Sequence, residues 1–114
     1  MVERIDAEAL TQILKAASDP TRRAILTHLA QEGPTRVTEI AARFDMSLNA
    51  VSKHIMVLER AGLVLRRTQW REHLIEAQLD RLTEIDRWFA GLRSIWELRL
   101  DALDAHLTKE SDND

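Results

Sequence analysis

Asn49, Ser52 and Lys53 lie in "SLNAVSKHI", residues 47–55, opposite an apolar stripe of Val51, Ile55 and Leu58. That stripe has the i, i+4, i+7 spacing of a helix burying one face. Surface helices usually fill the other face with Glu, Lys, Gln and Arg, which also favour the helix. Here the outward row is made of short or flexible hydrogen-bonding groups, with Ser47 just ahead of it. Asn can pair with an adenine edge through two bonds, Lys can donate to guanine, and Ser can bond a base or a phosphate. The chemistry on offer is recognition rather than bond making. The 114 residues contain no Gly-rich phosphate loop, nucleophile–base pairing or concentrated carboxylate cleft, so no enzymatic activity is expected.

Such a row needs elements to hold it. Over residues 5–17, Leu10, Ile13, Leu14 and Ala17 share one side of a first helix. "SDPTRRAILTHL" opens a second, with Asp19 as N-cap and Pro20 at the first helical position. Ile25, Leu26 and Leu29 form its buried side, and Gly33-Pro34 ends it. A short third helix, about Val37 to Phe44, buries Val37, Ile40, Ala41 and Phe44. "DMS" then leads to Ser47, a capping residue for the fourth helix, which stops near Ala61-Gly62. In "LVLRRTQWREHLIEAQL", Val64, Leu65, Ile75 and Ala77 suit a half-buried hairpin turning at "TQWRE". From Asp80, a further N-cap candidate, one long helix runs to about Leu107.

The fold class that follows is mainly α with a small β-hairpin: five helices plus a two-stranded wing. A single domain is expected over residues 1–108, with 109–114 ("KESDND") as a polar, unstructured tail. No apolar run approaches the roughly 20 residues that cross a bilayer, and the N-terminus has no apolar signal core. The absence of cysteine removes disulfides, thiolate nucleophiles and thiolate metal sites together. A cytoplasmic location is the expectation, with no membrane partner and no cofactor.

Net charge is −3, but its distribution matters more than the sum. Between Arg36 and Arg71 stand seven basic and three acidic residues, a local +4 against −7 elsewhere. A basic middle between acidic flanks suits a protein that meets a polyanion with one face. Two short helices joined by a tight connection, the second polar on its outer side, describe a helix-turn-helix. The second helix of such a pair enters the DNA major groove. The hairpin behind it offers Arg66, Arg67 and Arg71 to phosphates. Adjacent on a strand, Arg66 and Arg67 point to opposite sides, so both are not expected to reach phosphate. Trp70, at the wing tip, is expected to pack on the wing rather than insert against DNA.

"ASDPTRRAILTHL", then "VTEIAARFDMSLNAVSKHIMVLERAGLV", then "WREHL" resemble, in that order, the ArsR/SmtB family of bacterial winged-helix repressors over about residues 10–107. The similarity is to its cysteine-free members. The resemblance implies a homodimer on double-stranded DNA with a palindromic operator, the fourth helix in the groove and the wing on adjacent DNA. It carries over Ser47, Asn49, Ser52, Lys53 and His54 as DNA contacts. Ser47 has capping as a competing role, and His54, on the flank of the helix, has packing. Met56 stands where the family often has a basic residue. The cysteine pair of metal-sensing relatives is absent, with "VTEIA" in its place. Asp101, Asp104 and His106 in "DALDAH" lack the later histidine of the family's other site, so no metal is expected.

The final helix repeats Leu82, Ile85, Phe89, Leu92, Trp96, Leu100, Leu103 and Leu107 at three- and four-residue steps, and Trp88, Ile95 and Leu98 widen the apolar surface. A domain this small cannot cover it all, so dimerisation through the first and last helices is expected. The reading is a sequence-specific regulator, a homodimeric repressor or autorepressor. Two alternatives stay open: a winged-helix module with protein partners only, and a repressor with a small-molecule or metal effector.

Overall fold

The computed structural model describes residues 7–112, with side chains described as far as residue 109. The elements in order are α1 (Ala7–Ala17), α2 (Pro20–Glu32), β1 (Thr35–Arg36), α3 (Val37–Arg43), α4 (Leu48–Arg60), β2 (Val64–Gln69), β3 (Glu72–Ala77) and α5 (Leu82–Asp112). They fall into two compact units that divide between Glu84 and Ile85.

In the first unit, α1 to α4 and the sheet enclose one core that includes Ile13, Ile25, Ile40, Ile55, Leu63 and Ile75, all fully buried. The helix starts follow their caps. Asp19 accepts the Arg22 backbone N–H at 2.9 Å, and Pro20 occupies the first helical turn of α2. Arg22 and Arg23 then reach back to the end of α1. Arg22 Nε donates to the Ala16 carbonyl at 2.8 Å, Arg22 Nη2 to Lys15 at 3.1 Å, and Arg23 Nη1 to Ala17 at 2.6 Å. "DPTRR" therefore starts one helix and satisfies the last carbonyls of another.

Its hydrogen bond from the Arg22 backbone, joined by the positive charge of Arg22 and His54, holds the Asp19 carboxyl below its ordinary 3.8. A lowered folded-state value means that this stabilisation is complete above the unfolded value and lost as pH falls through the folded one. Asp19→Asn keeps a capping oxygen without the titration. Thermal melts at pH 5 and pH 3 should show a smaller acid-induced fall in Tm for the variant than for the parent; an equal fall would remove Asp19 from the acid response.

At the other end of α4, Gly62 takes φ 74°, its N–H bonds the Glu59 carbonyl at 2.9 Å, and the Leu63 N–H bonds Leu58 at 3.0 Å. That pair of bonds is the Schellman stop, and it aims the chain into β2. A Cβ at Gly62 would meet Arg81 Nε at 2.6 Å on top of the left-handed backbone. Gly62→Ala should accordingly cost about 1–2 kcal/mol of stability, read from urea unfolding. A loss below a few tenths would show that backbone and Arg81 adjust freely.

The sheet is three-stranded and antiparallel, in the order β1-β3-β2, with Thr35 opposite Ile75, Val64 opposite Ala77 and Gln69 opposite Glu72. The wing hairpin is thus as expected, but β1 adds an unforeseen edge of two residues, too short for any periodicity to announce. The connection is tighter than "TQWRE": only Trp70 and Arg71 stand between the strands. Other differences are local. On α1 it is Ala16, with Ile13, that is buried, while Leu14 is exposed; Leu65 is exposed on β2. Val37 and Phe44 are half-buried.

The second unit belongs to α5. A turn at Asp80–Arg81 precedes this helix, which starts at Leu82 and continues to Asp112, past the expected end near Leu107 and into the stretch read as a tail. Residues 113 and 114 lie outside the described residues, as do 1–6, including the first two positions of the expected first helix. At 1.5 Å per residue, its 31 residues span about 46 Å. Ile95 is 67% exposed, Trp96 59% and Leu98 69%. Among the described residues, no helix is long and apolar enough to cross a membrane.

Candidate nucleic-acid interface

Burial of Val51, Ile55 and Leu58 seats α4 on the core and turns its other face outward. Ser47 Oγ accepts the Ala50 N–H at 3.1 Å, so its hydroxyl caps α4. Asn49 and Lys53 are exposed, and Ser52 is half-buried beside them. Two apolar side chains share this face: Leu48, 52% exposed, and Met56. With Ser52 they recur at four-residue steps. An exposed aliphatic group here is suited to the thymine methyl. Leu48 could not be picked out beforehand, because its spacing from Val51 and Ile55 matches the buried stripe.

His54 turns away from the outward row. Its Nδ1 lies 3.4 Å from Arg22 Nη1 and 4.0 Å from Asp19 Oδ2, partly buried against the start of α2. The structure therefore places His54 in the α2 cap network, while Asn49, Ser52 and Lys53 stay together on the open side.

Between the first turn of α4, the start of α3 and the wing lies a cleft of ≈ 420 Å³, lined by Arg36, Thr38, Leu48, Ser52, Arg66 and Arg71 among others. Its cations differ in how they are held. Arg66 Nη2 donates to Glu59 Oε1 at 2.9 Å. Arg36 Nε sits 2.9 Å from Glu72 Oε2 and 3.7 Å from Glu39 Oε1. On the other side of the strand, Arg67 Nε is 2.7 Å from Glu76 Oε2, an ion pair rather than a well-aligned hydrogen bond. Arg66 and Arg67 thus point to opposite sides, as expected. Arg71 and Lys53 engage no carboxylate among the described residues. Exposed ion pairs hold their partners by only about 0–1 kcal/mol. A phosphate can displace those carboxylates, but Arg71 and Lys53 need no such exchange. Arg36, which joins β1 to the wing, was not among the expected contacts; nothing but its place in the basic window marked it.

Trp70 corrects the expectation that it packs on the wing. It is 93% exposed, with φ 62°, at the first position of the two-residue turn. Primed hairpin turns need φ > 0 there, which Gly, Asn or Asp adopt most easily. Among the described residues, no group of three or more His, Asp or Glu is gathered where one ion could be held, Asp101, Asp104 and His106 included.

A helix-turn-helix domain family model matches residues 17–67, the span from the end of α1 into β2. An HTH-type transcriptional regulator of Methanocaldococcus jannaschii is 33% identical over 78 residues, covering 68% of this chain and 88% of that protein. The crystal structure of an ArsR family transcriptional regulator superposes with a TM-score of 0.75 at 36% identity, covering 85% of this chain and 97% of that one. The solution structure of a homodimeric winged helix-turn-helix DNA-binding domain from Mycobacterium bovis, a possible ArsR-family regulator, gives a TM-score of 0.60 at 26% identity over 82% of each chain. With its two-helix reader, its wing and these relatives, the chain belongs to the ArsR family of winged helix-turn-helix, DNA-binding transcriptional regulators.

Proposed function

We propose that the protein is a homodimeric repressor that acts by occupying an imperfectly palindromic operator, its own promoter included. The observation that carries this reading is the open face of α4, where Asn49, Ser52 and Lys53 stand together beside Arg71, which engages no carboxylate among the described residues. Asn49 and Lys53 read base edges, and Leu48 rests on a thymine methyl. Ser52 and Arg71 hold phosphate at the cleft. Arg66, on the cleft side of β2, joins them after leaving Glu59. Ser47 contributes through the helix start it caps, and His54 orients α4 against α2 and meets phosphate at the helix flank. The exposed apolar face of α5, with α1, supplies the dimer seam, in line with the homodimeric neighbour from Mycobacterium bovis. Two α4 helices in successive major grooves set half-site centres about 34 Å apart, or a small multiple of that. Repression follows from a promoter that polymerase cannot enter while the dimer sits on it. The protein carries out this task without catalysis, metal or cofactor, in the compartment that holds the DNA.

Selection from a pool of random duplexes tests the reading. It should converge on a two-fold related pair of half-sites, and the DNA immediately upstream of the protein's own gene should contain a match. Recovery of unrelated sequences, or of a single asymmetric half-site, would contradict it.

A further inference from the structure

We propose that Trp70 is a wedge that enters the minor groove flanking each half-site and unstacks one base step there, so that the operator is also read outside the segment under α4. This inference rests on the DNA-binding reading above. Three observations meet at this one residue. First, its large aromatic side chain is 93% exposed, the most exposed large apolar residue described. Second, its backbone is left-handed at φ 62°, a conformation disfavoured for a bulky residue and relaxed for glycine. A two-residue turn between paired Gln69 and Glu72 fixes that conformation, so the ring is presented on a short, stiff support rather than a loose loop. Little freedom is then lost when it docks.

Third, reach and charge both fit DNA. β2 has six residues, about 20 Å of extended chain, and it leaves α4 directly through the Gly62 stop. Half a turn of duplex, the step from a major groove to the next minor groove, is about 17 Å. Arg71 follows Trp70 directly and engages no carboxylate among the described residues, while Arg66 and Arg67 lie behind it on β2. A cationic hairpin with an apolar tip is the arrangement by which side chains pry open a base step while phosphates are held beside it. Unstacking is cheapest at pyrimidine–purine steps such as TA and CA, so a wedge confers a preference for them at the flank.

The test uses duplexes recovered by selection, with either a TA or a GC step at the flank, and 2-aminopurine in place of the adenine of the TA step as a reporter of unstacking. Wild-type protein should brighten the reporter and bind the TA-flanked duplex more tightly than the GC-flanked one. Trp70→Gly and Trp70→Asn relax the turn, so their melting temperatures should equal or exceed that of wild type. Both should lose the reporter signal and bind the TA-flanked duplex about tenfold more weakly per wing. Trp70→Phe should retain most of the effect. If Trp70→Gly binds, discriminates and brightens the reporter like wild type, the wedge is wrong and the α4 reading stands. If wild type itself shows no preference for selected over scrambled DNA, the underlying reading has failed. A change in oligomeric state of Trp70→Gly without DNA would make the tip a protein contact and overturn the wedge.

Discussion

Trp96→Glu should turn the protein into a monomer at micromolar concentration and abolish tight operator binding. Trp96 is already 59% exposed on α5, beside Ile95 and Leu98, so the chain loses little of its own packing when the indole is removed. In a two-fold dimer the same side chain is buried twice. At about 1.5–3 kcal/mol for each large apolar side chain, the pair contributes about 3–6 kcal/mol to association. That weakens the dimer by about 10²- to 10⁴-fold, before the cost of bringing two carboxylates into an apolar seam is added. A monomer engages half-sites one at a time and forfeits the gain of tethering, so its apparent affinity for a palindrome falls at least as far. Sedimentation should report twice the 13.1 kDa chain for wild type and the single chain for the variant, with circular dichroism unchanged. A variant that stays dimeric with wild-type affinity would move the interface off this face of α5.

The second large effect is expected at Asn49. Losing a two-bond contact to a base costs about 1–3 kcal/mol. Two half-sites double it, so Asn49→Ala should weaken operator binding by about 30-fold to 10⁴-fold. The loss should be concentrated at a single base position in each half-site, where the variant tolerates substitutions that wild type rejects. Affinity for scrambled DNA should change little, because no phosphate contact is removed. Equal losses on both duplexes would place Asn49 on the backbone rather than on a base.

The elements that position this reader were legible where local chemistry and long-range packing agree. Asp19, Pro20, Ser47 and Gly62 each do in the structure what their types imply, because a cap needs only its neighbours. The stripe of Val51, Ile55 and Leu58 is buried as its spacing demands. The failures have physical causes too. Leu48 shares that spacing but stands in the open, since periodicity records a direction and not what lies along it. β1 is defined by pairing with a strand some 40 residues away, which no local pattern carries. The tip of the wing departs from expectation because a two-residue turn offers the apolar side chain of Trp70 no apolar company.

Charge shows the same limit. Arg66, Arg67 and Arg71 are indistinguishable as letters, but Glu59 and Glu76 occupy the first two, and the third engages no carboxylate among the described residues. His54 belongs to the outward helix by position, and to the α2 cap by its contacts with Arg22 and Asp19.

The division of labour, α4 reading bases and the wing gripping phosphate, is the centre of the account, and salt titration tests it most directly. Wild type and Arg71→Ala are titrated onto one selected and one scrambled duplex at several salt concentrations. Each phosphate contact contributes about 0.9 to the log–log slope, so losing one per subunit should flatten it by about two. The flattening should be the same on both duplexes, with the ratio of their affinities preserved. Arg66→Ala should flatten it less, since Arg66 must first leave a carboxylate, and Arg67→Ala, on the other side of the strand, less still. If Arg71→Ala instead leaves the slope intact and erases the preference for the selected duplex, the wing reads and the helix grips, and the assignment of the two elements is reversed.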